Sequence, residues 1–271
     1  MSSETQLTNE IISLMYNQSI DEHLASLRYA GIIQQALMPD SEHLDALFRD
    51  HFVFFLPRDI VSGDFYYALR YRHYICVAAG DCTGHGVPGA LLSIMGISFL
   101  NEIMQARCEP RANRVLNFMR EKVMKALHQT GEKSEAKDSI DIGLCVFDTE
   151  SRKLQYSGAN RPLLRIRNGE VSEFKPDKMS IGLAPVHEHP FTNVIMDTRA
   201  GDSFYLYTDG FSDQFGELTD KKFKHNQLKK VIASVSDLPM SRQGEILEDT
   251  FYDWKGNTAQ IDDVLVLGFR I

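Results

Sequence analysis

The sequence contains no CxxC pair, no GxxxxGK[ST] or GxGxxG loop, no internal repeat and no low-complexity segment. Without those glycine-rich loops, nucleotide-binding folds that cradle phosphates in this way are not expected. The four cysteines are Cys76, Cys82, Cys108 and Cys145. Cys76 and Cys145 sit in apolar runs, which reads as buried free thiols in a reducing cytoplasm. Positive charge is in deficit: 29 Lys and Arg stand against 37 Asp and Glu, a net charge of −8. Such a surface repels phosphates and anionic lipid, so no nucleic-acid or membrane-surface role is expected. The longest apolar stretch, residues 89–100, carries Ser93 and Ser98 and falls short of the ~20 residues a bilayer requires, so no membrane span is expected. The first residues, MSSETQLTNE, show neither a basic nor an apolar leader region, so no secretory signal is expected.

What is present is a chain of 271 residues, 43% hydrophobic and 24% charged, enough to bury a core without staples. It opens with helical patterns: a shorter piece over 4–16, then a helix with a possible capping box at Ser19 and Glu22. Leu24, Leu27, Ala30, Ile33 and Leu37 repeat at helical spacing until Pro39 ends the pattern. Such a stripe packs either on the chain's own core or on a partner. From about residue 50 strand-like runs dominate: 52–56, then 64–69 and 73–79 around the turn Arg70, Tyr71, Arg72. Helices are expected over 87–107 and from Pro110, the latter with Val115, Met119, Val123 and Leu127 on one face. A polar loop over 130–137 precedes strands at 140–147, 153–157, 163–166 and 171–174. Turn-rich residues 176–190 lead to strands at 192–196 and 203–207, helices at 221–233 and 239–252, and a last strand at 261–269. Strands in runs and helices in pairs predict an α+β protein with mainly antiparallel sheets.

Aspartates stand at the edges of four predicted strands: Asp64 in SGDFYY, Asp81 in VAAGDCTGHGVPGA, Asp209 in FYLYTDGFSD, and Asp262 with Asp263 in QIDDVLVLGF. Each of the first three has a glycine beside it, Gly63, Gly80 or Gly210, a residue that permits a sharp turn or close approach of an ion. A single strand-end aspartate is often only a turn former. Four or five converging carboxylates are different, because they cannot all stay ionised without a cation. Oxygen donors select Mg2+ or Mn2+, and zinc is disfavoured where histidine and cysteine are scarce. His85 reads as a ligand, a general acid, or a residue that supports the ligands or packs in the glycine turn, and Cys82 as a filler rather than a nucleophile.

The motifs PRDIVSGDFYY, GDCTGHGVPGALLS, YTDGFSD and IDDVLVL resemble those of the SpoIIE-type serine phosphatases, the bacterial branch of the metal-dependent protein phosphatase 2C superfamily. The lesser stretches DSIDIGLCVFD, YSGANRPL and DKMSIG are similar to the same family and keep its order. LRYAGIIQQALMP resembles the helix that often leads into such domains. The resemblance implies a four-layer α-β-β-α sandwich over 51–271, preceded by a helical regulatory or dimerisation segment over 1–50. It implies two or more Mn2+ or Mg2+ ions. Asp81 would bridge them, the Cys82 carbonyl, Asp209 and Asp262 would complete the ligands, and Asp64 would hold a water or a further ion. The implied reaction is hydrolysis of phosphoserine or phosphothreonine by water activated between the ions. The implied substrate is a phosphorylated STAS-domain anti-sigma-factor antagonist or a similar regulatory protein, and a homodimer is expected. Arg58 reads either as a contact for substrate phosphate or as half of a surface ion pair. Asp141 and Asn160 read as structural. Ser62 and Leu265 depart from glycine and threonine common in the family, without removing a carboxylate. A catalytically silent binding module and a small-molecule phosphatase are the alternative functions.

Overall fold

The computed structural model describes residues 3–105, 109–130, 137–182 and 189–271. Cys108, most of the loop expected over 130–137 and part of 176–190 lie outside the described residues. Helices α1 (Ser3–Leu37) and α2 (Ser41–Leu47) lead into β1 (Asp50–Leu56), β2 (Phe65–Tyr71) and β3 (Tyr74–Cys82). Then come α3 (Gly86–Gln105) and α4 (Ala112–Ala126), followed by β4 (Ile140–Asp148), β5 (Lys153–Ala159), β6 (Leu163–Arg167), β7 (Glu170–Phe174), β8 (Val194–Asp197) and β9 (Ser203–Tyr207). The short α5 (Gly210–Asp213), then α6 (His225–Val235) and α7 (Met240–Lys255), precede the last strand, β10 (Val264–Arg270).

The strands form two antiparallel sheets of order β1-β10-β9-β6-β7 and β2-β3-β4-β5-β8. Side-chain alternation builds the layers. In β3, Ile75, Val77 and Ala79 face the other sheet, while Cys76 and Ala78 face α3 and α4. In β10, Leu265, Leu267 and Phe269 point between the sheets, and Val264 and Val266 point to α6 and α7. The result is the expected α-β-β-α sandwich, with one apolar core between the sheets and one under each helical layer. Cys76, Cys82 and Cys145 are free and buried. Helix α3 is long and apolar enough, by composition, to cross a membrane. Here it lies on β2 and β3 and buries Ala90, Leu92, Ile97 and Leu100.

Several local expectations change. The N-terminal helix is continuous from Ser3 to Leu37, so Ser19 caps nothing. Its inward face is Leu24, Leu27, Gly31, Gln34 and Met38, while Ala30, Ile33 and Leu37 of the expected stripe are exposed. A glutamine sits at the centre of that face because its amide is fully used. Gln34 Nε2 donates to Ser62 O at 2.6 Å and Ser93 Oγ at 2.7 Å, and its Oε1 accepts from Ser62 N at 3.0 Å. The β2–β3 hairpin turns at Arg72 and His73, with Arg72 in the left-handed region at φ 56°. The α6 helix begins at His225, four residues after the expected start. The last strand begins at Val264, leaving Asp262 and Asp263 in the irregular segment before it.

One ion pair fixes the far end of the first sheet. Asp202, just before β9, accepts from Arg167 Nε at 2.7 Å and Nη2 at 2.5 Å and from the Arg199 amide at 2.8 Å. Burial alone would raise the Asp202 carboxyl, but these donors outweigh it and hold the group below the ordinary carboxylate range. The side chain is 1% exposed. Asp202→Ala should therefore cost about 3–5 kcal/mol at pH 7 in urea unfolding, because the Arg167 charge loses its buried partner. A depressed folded pKa gives stability that is present above the ordinary carboxylate value and is lost as pH falls through the folded one. The difference between wild type and variant should shrink in acid, and a difference constant from pH 7 to pH 2 would contradict this assignment.

Candidate active site

The antiparallel register brings the carboxylates together. Asp81, last but one in β3, lies opposite Asp141, the second residue of β4, and directly paired residues face the same side. Asp209 follows β9, and Asp262 lies just before β10, its neighbour in the other sheet. The same end of both sheets thus carries Asp81, Asp141, Asp209 and Asp262 around an open cavity of about 320 Å³. Asp209 occupies the N-cap position of α5 but makes no capping bond, which leaves its carboxylate to the cavity. Asp64 lies behind it, 2% exposed, and accepts from Thr208 Oγ1 at 2.6 Å.

The adjacent pair Asp262 and Asp263 divides its work. Asp262 lines the cavity. Asp263 is buried and accepts the backbone amides of Arg58 and Gly63, both at 2.7 Å, tying the loop before Asp64 to β10. The glycines beside the aspartates serve close packing rather than a sharp turn, since none of the three has positive φ. A Cβ on Gly63 would stand 2.6 Å from the Gly84 carbonyl, and one on Gly210 would strike the Asp263 carbonyl.

Electrostatics follow from this crowding. Burial, then the negative charge of Asp81, pushes the Asp64 carboxyl well above the usual range. Burial also raises Asp81; Arg161 opposes that, while Asp209, Asp262 and Asp141 add to it. Burial and the Asp209 charge raise Asp262. The Cys82 thiol is pushed up by burial and by Asp81, so it is no thiolate nucleophile.

Two site residues escaped the sequence reading. Asp141, read there as structural, faces the cavity, with its Oδ1 bonded to Ser180 Oγ at 2.6 Å and Asn160 Nδ2 at 2.9 Å. Arg161 was not considered at all. Its Nη2 donates to Asp81 at 2.6 Å and Asp209 at 2.8 Å, with Asp141 at 3.4 Å. Its position directly after Asn160 in YSGANRPL was the available signal. His85 is half-exposed at the cavity wall, with Nδ1 3.0 Å from Asp59, rather than packed in the glycine turn. The exposed Arg58 side chain donates to the Ile261 carbonyl at 3.1 Å, in place of a surface ion pair.

The donor set suits a hard divalent cation, being oxygen throughout and short of positive charge. As arranged, no group of three acidic, histidine or cysteine side chains among the described residues is set to hold an ion; Asp81, Asp209 and Asp141 meet instead at the Arg161 guanidinium.

The model of the Stage II sporulation protein E (SpoIIE) family matches residues 71–271. The chain belongs to the SpoIIE family. It is a phosphatase of the protein phosphatase 2C type. The SiaA-PP2C domain of Pseudomonas aeruginosa superposes with a TM-score of 0.83 at 29% identity, covering 93% of this chain and 98% of that one. The PP2C phosphatase domain of SpoIIE from Bacillus subtilis, with a fragment of its regulatory domain, gives 0.66 at 16% identity over 82% of this chain and 63% of that one. RsbX in complex with magnesium gives 0.55 at 15% identity over 82% and 94%. The latter two show the shared fold. No curated protein sequence is significantly similar to the chain.

Asp263→Ala should destabilise this SpoIIE-family protein by about 2–3 kcal/mol, because the buried Gly63 amide and the part-buried Arg58 amide lose a charged acceptor. Asp262→Asn should leave stability to chemical unfolding equal to or above that of wild type, because it removes one negative charge from the crowded cluster. Reversal of that order in urea titrations would mean that Asp262, and not Asp263, holds the loop.

Proposed function

We propose that this phosphatase hydrolyses phosphoserine on a regulatory protein, with Mn2+ or Mg2+ held by Asp81, Asp209, Asp262 and the Cys82 carbonyl, and with Asp64 behind them. The observation that carries this reading is the ring of carboxylates at one end of both sheets, around a cavity whose His85 bonds Asp59 and where no histidine–hydroxyl or histidine–thiol hydrogen bond joins the described lining residues. The magnesium complex of RsbX, a protein of the same fold, supports the choice of a hard cation. When bound, the ions lower the pKa of water and neutralise phosphate charge.

The chain's own residues do the rest. Asp81, placed by β3 and faced by three other carboxylates, is the shared anchor for positive charge. Thr208 fixes the Asp64 carboxyl so that it faces the cluster in one orientation. Asp263 holds the 58–63 loop and with it Arg58, whose guanidinium bonds the carbonyl of cavity-lining Ile261 and is proposed to meet an incoming phosphate. The resemblance of the motifs carries the finer substrate reading, a phosphorylated STAS-domain anti-sigma-factor antagonist in the cytoplasm. Residues 1–50 are proposed as the regulatory and dimer-forming segment before the catalytic domain over 51–271. Exposed Tyr29, Ile32, Ile33 and Leu37 on α1 favour a second copy of the chain as its partner.

Hydrolysis of a phosphoserine protein should require Mn2+ or Mg2+ and stop with chelator. Asp81→Asn should lower it by more than ~100-fold, the loss that outer-shell changes alone can reach. Turnover by a folded Asp81→Asn protein, or faster turnover of a small phosphoester than of any phosphoprotein, would overturn the corresponding part of the proposal. Ile33→Glu places a charge in the proposed dimer contact, at a cost of several kcal/mol if buried unpaired. Light scattering should show a dimer for wild type and a monomer for the variant, and a wild type that stays monomeric at high concentration removes the dimer.

A further inference from the structure

Arg161 stands on a rigid base. Asn160 before it is in the left-handed region at φ 57°, its amide donates to Asp177 O at 2.9 Å, and its side chain holds Asp141 and Ser180. The Arg161 carbonyl accepts the Tyr156 hydroxyl at 2.7 Å, and Pro162 follows. Only the side chain is therefore free to relocate. Its Nη2 occupies oxygens of Asp81 and Asp209, while its Nε is buried with no hydrogen-bond partner. An orphaned guanidinium N–H signals a position in which the side chain is only partly satisfied. Arg161 also lines a second cavity, of about 310 Å³, together with Asp209, Glu173 and His225. In that cavity the Glu173 carboxylate is held by His225 and Lys229 at 2.7 and 2.9 Å.

We infer that the Arg161 guanidinium competes with divalent cations for Asp81 and Asp209, and that ion loading turns it away from these carboxylates into the adjoining cavity beside Glu173. The inference rests on the reading of Asp81 and Asp209 as ion ligands. A guanidinium at 2.6 and 2.8 Å blocks the lone pairs an ion needs and sets like charge beside the incoming dication. Both effects oppose loading. Arginine suits this role better than lysine because it never deprotonates and its planar fork can pass from one carboxylate set to another. The ion affinity of the site is thus set partly by the chain's own cation.

The test is calorimetric titration of Mn2+ into the full chain as wild type, Arg161→Gln, Arg161→Ala and Asp81→Asn, each checked for folding by circular dichroism. Arg161→Gln and Arg161→Ala should bind Mn2+ at least tenfold more tightly than wild type, and Asp81→Asn more weakly. Equal or weaker binding by both folded Arg161 variants, with Asp81→Asn still impaired, overturns the competition while leaving the ion ligands in place. Absence of binding to wild type and both Arg161 variants overturns the ligand reading and the competition together. If the Arg161 variants do not fold, the wild-type Arg161 Nε–H resonance, assigned by through-bond correlation to the Arg161 backbone, is followed against Mg2+. A shift that saturates with the ion supports displacement, and a resonance unmoved at saturating Mg2+ overturns it.

Discussion

The repulsion among carboxylates at one end of the sandwich is the constraint on which the site depends. Two antiparallel sheets end side by side, and four strands contribute an aspartate to that edge. Such a cluster needs compensation by burial-driven protonation, by an internal cation or by metal ions. All three marks are present: the raised Asp64, Asp81 and Asp262 carboxyls, the Arg161 guanidinium across Asp81 and Asp209, and an oxygen-only donor set. The surrounding backbone is fastened tightly. Asp263 clamps the Arg58 and Gly63 amides, and Gly63 and Gly210 admit main-chain contacts that any side chain would break.

The same fastening reaches α1. Gln34 binds both backbone groups of Ser62, and Ser62 Oγ accepts the Asp64 amide at 3.0 Å. The inner end of the leading helix and the loop that presents Asp64 are therefore one hydrogen-bonded unit. Buried polar groups fully satisfied in this way specify a single arrangement. The outer, apolar face of the helix stays exposed at Tyr29, Ile32 and Ile33, so a partner on that face acts on a helix bonded to the site loop.

Much of this was legible in the sequence. Strand-like runs between turns placed β2, β3, β9 and β10, and the aspartates at their ends marked the edge where the cavity lies. The resemblance assigned Asp262 and not Asp263 to the ions; Asp262 lines the cavity and Asp263 is buried. What escaped was set by tertiary partners. The apolar stripe of α1 pointed at Ile33 and Leu37, yet the buried position is Gln34, because its amide donates to Ser93 Oγ and accepts from the Ser62 amide. Asp141 looked structural because its role depends on facing Asp81 across the β3–β4 ladder. For Arg161 the one local mark was its place in YSGANRPL, which does not show its role, since its partners lie 80, 20 and 48 positions away in the chain.

The most direct measurement is a crystal structure of the protein grown with Mn2+, read by anomalous scattering. The predicted result is anomalous density between Asp81, Asp209 and Asp262, with Arg161 no longer bonded to Asp81. Crystals saturated with Mn2+ that show no peak among these carboxylates, or peaks only elsewhere on the surface, would contradict the assignment of this edge as the catalytic metal site.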